Sequence, residues 1–154
     1  MLVVSDTTPI TTLLAIQRCE LLQQLYSEII ISETVRDELL RHHPDLPSFL
    51  KVKAVRDRRA LKKFAKDVHP GEAEAIVLAV ECGADLLLID DLAGRRAAKK
   101  QGLEITGLVG VIANAKAESL IPSVREVFEQ IERKTRFYMT ESLMEKALRI
   151  ANEN

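Results

Sequence analysis

Acidic residues stand at the positions of this chain where chemistry is most readily read. Asp6 follows the apolar run Leu2–Val4 and Ser5, and the pair Asp90-Asp91 follows the run ADLLLI. Each therefore stands just past the end of a predicted strand. Glu72 lies in the first turn of an apolar helix opened by Pro70-Gly71 and heads a stripe continued by Ile76 and Ala79, which should face the core. Glu74 shares the less buried face with Glu81, and is the weaker candidate of the two. Glu38 sits three residues after Val35 and next to Leu39, at the margin of an apolar helix face, where it can point inward over the sheet edge. Carboxylates gathered this way repel by about 4 kcal/mol per pair at 4 Å and an effective dielectric near 20. A divalent cation removes that cost. Acids without a histidine–cysteine set favour Mg²⁺ or Mn²⁺ over zinc, and such an ion can acidify a bound water and orient a phosphodiester. Each acid also has a structural reading: an Asx-turn at Asp6, a helix N-cap at Asp91, dipole compensation at Glu72 and Glu74, a surface glutamate at Glu38. The joint arrangement is what points to chemistry.

The elements that must position these acids follow from the apolar pattern. Residues 2–4 read as a strand that passes into a helix near Asp6, with Thr8 as N-cap and Pro9 at the first helical position. CELLQQLY at 19–26 reads as helix, EIII at 28–31 as strand, and Ser32 as the cap of a helix with Val35, Leu39 and Leu40 on its apolar face. Residues 44–55 read as loop with a short extended piece at VKAV, and 57–66 as a basic, exposed helix. EAEAIVLAVEC is apolar nearly all round and predicts a central helix, followed by the buried parallel strand ADLLLI. A helix at 92–101, a strand at 103–106, a helix from 108, another from Ser123 to about Lys134 and a last one from Thr140 complete the order. This alternation predicts a three-layer α/β/α fold with a central, mostly parallel sheet, in which ligands bind at the carboxyl ends of the strands. No repeat or linker divides the chain, so residues 1–154 are expected to form one domain.

The 154 residues, 47% hydrophobic and 29% charged, suffice for one sizeable core. No run approaches the roughly 18 apolar residues of a membrane span, and the start MLVVSDTTP lacks a signal-peptide pattern, so a cytoplasmic, soluble protein without a membrane partner is expected. Cys19 and Cys82 have no metal-ligand spacing and read as small buried hydrophobes. The net charge of −1 conceals strong segregation. Residues 51–66 carry eight Lys or Arg against one acid, whereas 67–94 carry seven acids and no Lys or Arg. A polyanion held beside an acidic site needs such neighbours, and Lys62, Lys63, Arg95, Arg96 and Lys99 are the candidate nucleic-acid contacts; solvated helix faces are the plainer reading. With four Phe, two Tyr and no Trp, no stacking platform for single strands is evident.

The strings VVSDTTPI, EIIISETVRDEL and HPGEAEAIVLAVECGADLLLIDDLAGRRAAKKQGLEITGLVGVIANAKAESLIPSV, in this order and spacing, resemble the PIN-like nucleases. The resemblance is closest to a prokaryotic branch without assigned function and covers about residues 2–150. It implies a metal-dependent ribonuclease whose four acids correspond to Asp6, Glu38, Glu72 and Asp90, with Asp91 as an additional metal ligand and Thr7 or Thr8 as an accompanying hydroxyl. Glu72 stands where Asp is usual in the family, and GEAEA leaves Glu72 and Glu74 both open as the third acid. Mg²⁺ or Mn²⁺ is the implied cofactor and RNA the implied substrate. Small PIN domains also resemble the toxin halves of toxin–antitoxin pairs, which implies an antitoxin partner, and those of this size often form homodimers.

Two other strand-end Asp chemistries fit less well. A haloacid-dehalogenase-type phosphatase places a second acid two residues after the first Asp, where this chain has Thr8. A phospho-receiver domain needs a lysine at a later strand end, and LEIT and its neighbours offer none. The alternative from a different class is a non-catalytic PIN-like module that binds RNA or a protein.

Overall fold

The computed structural model describes residues 1–153. In chain order the elements are β1 (Val3–Ser5), α1 (Thr7–Ala15), α2 (Glu20–Tyr26), β2 (Ile29–Ile31), α3 (Glu33–Leu40), β3 (Leu50–Val52) and α4 (Arg58–Leu61). They continue with α5 (Pro70–Cys82), β4 (Leu86–Leu88), α6 (Leu92–Lys100), β5 (Ile105–Thr106), α7 (Leu108–Ala117), α8 (Val124–Lys134) and α9 (Glu141–Ile150). The five strands form one sheet in the order β3-β2-β1-β4-β5, every neighbour parallel.

Alternation along the strands divides the core between the two faces of the sheet. Val3, Ile29, Ile31 and Leu88 face one side, where they meet Ile10, Leu13 and Leu22 of α1 and α2, Val35 and Leu39 of α3, and Val111 and Phe128 of α7 and α8. Val4, Leu87 and Ile89 face the other, against Ala75, Ile76 and Ala79 of α5 and Ala98 of α6. Strands covered on both faces are apolar throughout, which is why runs such as III and LLL are continuous rather than alternating. α5 is buried from Gly71 to Ala79 because it packs on β1 and β4 while α3, α4 and α6 flank it. Gly83, at φ +62°, then ends it in the left-handed conformation that glycine adopts without strain.

Several local expectations are corrected. Asp6, not Thr8, is the N-cap of α1, and the helix starts at Thr7; Pro9 still fits because amide hydrogens of the first turn have no helical acceptor. The basic helix expected over 57–66 shrinks to α4, after which Lys62, Lys63 and Phe64 bond to carbonyls three residues back in tight turns. The physical reason lies in the sequence: Arg58 and Lys62, Arg59 and Lys63, and Lys62 and Lys66 are like charges four residues apart. The extended piece is β3 at Leu50–Val52, an edge strand upstream of the expected VKAV core. Leu40 is exposed rather than packed in the core. Cys19 is buried and Cys82 half-buried, both as free thiols, and burial pushes the Cys19 thiol up to about 12. Among the described residues no helix is long and apolar enough to cross a membrane.

Candidate active site

The register of β1 and β4 brings the two strand-end acids together. Ser5 lies opposite Leu88, and the Asp6 amide donates to the Leu88 carbonyl at 2.9 Å, so Asp6 and Asp90 leave the sheet side by side at its carboxyl edge. Asp6 is only 4% exposed. Asp90 Oδ1 accepts the Leu108 amide at the start of α7 at 2.9 Å, and Asp91 caps α6 by accepting the Gly94 amide at 3.0 Å. From the first turn of α5, Glu72 reaches the same place and shares a hydrogen bond with Asp91. Glu38 comes from α3, where the Thr7 hydroxyl donates to it at 2.5 Å.

Three glycines make room for three of these carboxylates. A Cβ on Gly71 would stand 2.6 Å from Glu38 Oε1, one on Gly94 2.7 Å from Glu72 Oε2, and one on Gly107 2.6 Å from Asp90 Oδ1. Each glycine belongs to the cap or first turn of a helix, α5, α6 or α7, so the carboxylates lie against backbone that a side chain would otherwise screen.

Enclosure sets the electrostatics. Burial raises Asp6 to about 6, opposed by the Thr7 amide and reinforced by the charges of Glu38, Asp90 and Asp91. Asp90 is likewise raised by burial to about 6, against the pull of the Leu108 amide and Arg95. Glu72 rises to about 8, first through burial, then through its hydrogen bond with Asp91 and the charges of Asp6 and Asp91. Asp91 is lowered, chiefly by the Gly94 amide. Glu72 Oε2 and Asp90 Oδ2 are buried with no hydrogen-bond partner, an expensive condition for carboxyl oxygens. The donor set at this edge is all oxygen and suits a hard divalent cation. Among the described residues no group of three or more His, Cys, Asp or Glu side chains is gathered to hold a metal ion by itself. Thr7, Leu108 and Gly94 instead fix the carboxylates individually. An ion that keeps several of its own waters, as Mg²⁺ does, needs only one or two protein carboxylates.

The family described as PIN domain matches residues 2–153. The chain belongs to the PIN domain family. No curated protein and no solved structure matches it. PIN domains are in general nucleases that use divalent metals, and the oxygen-rich edge of this one is in keeping with that chemistry.

Other residues of this PIN domain that the sequence singled out are spread around that edge. Glu74, expected on the less buried face of α5, is 9% exposed and accepts the Thr34 hydroxyl of α3; it is the charge of Glu72 that couples to Asp6. Glu81 does face solvent, where it accepts the Arg56 and Asp57 amides. Thr8 lies in a cleft with Thr11 and Lys134 that none of the acids lines. Arg95 is half-buried and donates to the Ile89 carbonyl at 3.0 Å, which ties the start of α6 to the strand that carries Asp90. Arg96 and Lys63 line one cleft of about 410 Å³ together with Lys100, while Lys62 and Lys99 are exposed outside it. Sequence reasoning missed Gly71, Gly94 and Gly107, although a glycine at each helix start after an acid-bearing segment was there to be noticed.

Proposed function

We propose that this PIN domain is a Mg²⁺- or Mn²⁺-dependent endoribonuclease. The observation that carries the reading is the meeting of Asp6, Glu38, Glu72, Asp90 and Asp91 at one sheet edge, with two buried carboxyl oxygens lacking any partner. Asp6 and Asp90 would hold the ion as its principal ligands, with Glu72 and Asp91 reached through its own waters. When bound, it supplies a Lewis acid and a more acidic water for attack on a phosphodiester. Without the ion, Glu72 is raised to about 8 and shares a hydrogen bond with Asp91, so it can hold a proton at the same edge that ion binding would release. Glu38 is oriented by the Thr7 hydroxyl. Lys63, Arg96 and Lys100, in the cleft along α6, offer a path for the phosphate backbone of RNA. The finer reading is that the chain is the toxin of a toxin–antitoxin pair, whose antitoxin would have to cover the carboxyl ends of β1 and β4.

The test pairs stability with cleavage. Mn²⁺ should raise the melting temperature of the wild type by mass action and permit cleavage of a mixed RNA pool. Asp90→Asn keeps an acceptor for the Leu108 amide but removes a charge. It should cut cleavage by about 100-fold or more, abolish the Mn²⁺ shift, and leave the metal-free protein at least as stable as the parent. As a toxin, the wild type should also arrest growth of the producing cell, and Asp6→Asn should relieve the arrest. A wild type with neither a Mn²⁺ shift nor metal-dependent cleavage would make the non-catalytic RNA- or protein-binding module the better account.

A further inference from the structure

The strap between α8 and α9 presents the one exposed Phe or Tyr ring among the described residues. Phe49, Phe64, Phe128 and Tyr26 are buried and Phe137 is half-buried, whereas Tyr138 is 81% exposed. The strap is held at both ends. The Thr135 hydroxyl donates to the Ile131 carbonyl at 2.7 Å and accepts the Phe137 amide at 3.1 Å, and Thr140 caps α9 by accepting the Leu143 amide at 3.1 Å. Met139 is anchored in the core and Phe137 packs against it, so the alternation of an extended backbone turns Tyr138 outward.

Clefts open on both sides of this ring, and one of them leads back to Asp90. One, of about 520 Å³, runs from Asp90 and Arg95 past Gly107 and Gly110 to Tyr138, Leu143 and Ile150. The other, of about 620 Å³, shares Phe137 and Tyr138 and runs past Lys134 and Arg136 to Thr8, two residues from Asp6. Three of the eight large apolar side chains exposed on the described surface, Tyr138, Leu143 and Ile150, line the first cleft, so they form a patch rather than scatter. Arg95 and Lys146 border that patch, Arg136 and Lys134 border the second cleft, and Asp90 is the single acid in either.

We propose that Tyr138 is a stacking shelf for a nucleobase, and that the cleft from Tyr138 to Arg95 holds the nucleotide next to the scissile phosphate. A flat apolar face ringed by cations matches a base with its phosphates, and a Tyr ring fixed on a strap loses little entropy on stacking. A second copy of the chain or an apolar peptide would satisfy Leu143 and Ile150 but would bury Arg95 and Lys146 against apolar surface. The proposal rests on the nuclease reading only in placing the scissile phosphate at the acids.

The chain has no Trp, and its other tyrosine, Tyr26, is buried, so the tyrosine emission that a ligand can quench is that of Tyr138. A uridine 12-mer titrated in EDTA, where no cleavage occurs, should quench that emission. By anisotropy of the labelled 12-mer, Tyr138→Ala should bind about 5- to 100-fold more weakly and Tyr138→Phe as tightly as the wild type. Inorganic polyphosphate should bind the wild type and Tyr138→Ala equally, and both variants should melt at the parental temperature. Equal affinity of Tyr138→Ala and wild type for the 12-mer overturns the shelf. Parallel loss of 12-mer and polyphosphate binding overturns it too, and absence of 12-mer binding gives the patch to a protein. Because the measurement needs no cleavage, its failure leaves the nuclease reading to the Mn²⁺ experiment, and failure of that experiment leaves the shelf standing.

Discussion

Glu72, Asp6 and Asp90 bind their protons more tightly in the folded chain than in the unfolded one, and this fixes the sign of their pH dependence. The unfolded values are 4.5 for Glu and 3.8 for Asp, against about 8 for Glu72 and about 6 for Asp6 and Asp90 when folded. Their contribution is therefore greatest below pH about 4, falls as pH rises through about 6, and falls again through about 8. Glu153 acts in the opposite direction. It accepts the Val124 and Arg125 amides and the Ser123 hydroxyl, and these with Lys116 hold it at about 2 despite its partial burial. Its contribution is present above pH about 4.5 and is lost as pH falls toward 2. The metal-free protein should thus melt highest near pH 4 to 5 and progressively lower toward pH 8, with Asp6→Asn flattening the decline and Mn²⁺ reversing it. A melting temperature that climbs steadily from pH 5 to 8 without metal would contradict the enclosed state of these acids. The acids themselves were legible in the sequence because a strand end and a helix's first turn fix where a side chain emerges. The burial of Glu74 was not, since a helix apolar all round gives no sign of which face is covered.

At the scale of the helix, Gly71 sets local propensity against the site. Alanine in place of glycine favours a helix by up to about 1 kcal/mol, and the φ of Gly71 is not in the left-handed region, so the backbone of α5 accepts the change. The new Cβ would meet Glu38 Oε1, the end of a flexible side chain, and the carboxylate would move rather than the helix. Gly71→Ala should therefore be as stable as the parent or slightly more so, yet show weaker Mn²⁺ stabilisation and about 10-fold slower cleavage. Unchanged cleavage at limiting Mn²⁺ would remove Glu38 from the site. The order of strands and helices could be read from apolar runs and caps such as Ser32 and Ser123, because both are local signals. The broken helix after Leu61 and the strap at Thr135–Met139 could not. The first depends on repulsion summed along one face, and the second on a single ring whose exposure is decided by where Met139 is anchored.

For the whole molecule, the distribution of charge matters more than its net value of −1. The fold sets Lys63 from the turns after α4 beside Arg96 and Lys100 of α6, uniting two basic blocks that the sequence separates. Removing one cation from the phosphate path lowers the salt dependence of single-strand binding by about 0.7 in log–log slope, so Lys63→Glu with Arg96→Glu should weaken RNA binding and flatten the slope by about 1.4. An unchanged slope would put the RNA elsewhere. That pairing was not legible because it depends on how two segments about thirty residues apart pack, whereas each block was plain by itself. The edges of the sheet carry a further consequence. β5 has two residues and β3 three, with Lys51 exposed on β3 and 3.8 Å from Glu28. Open edges ordinarily template strand-to-strand growth, but ribbons this short and charged give another chain almost nothing to zip along. Crowded copies of the protein are thus guarded against cross-β aggregation, and stable pairing between them is left to helices and loops.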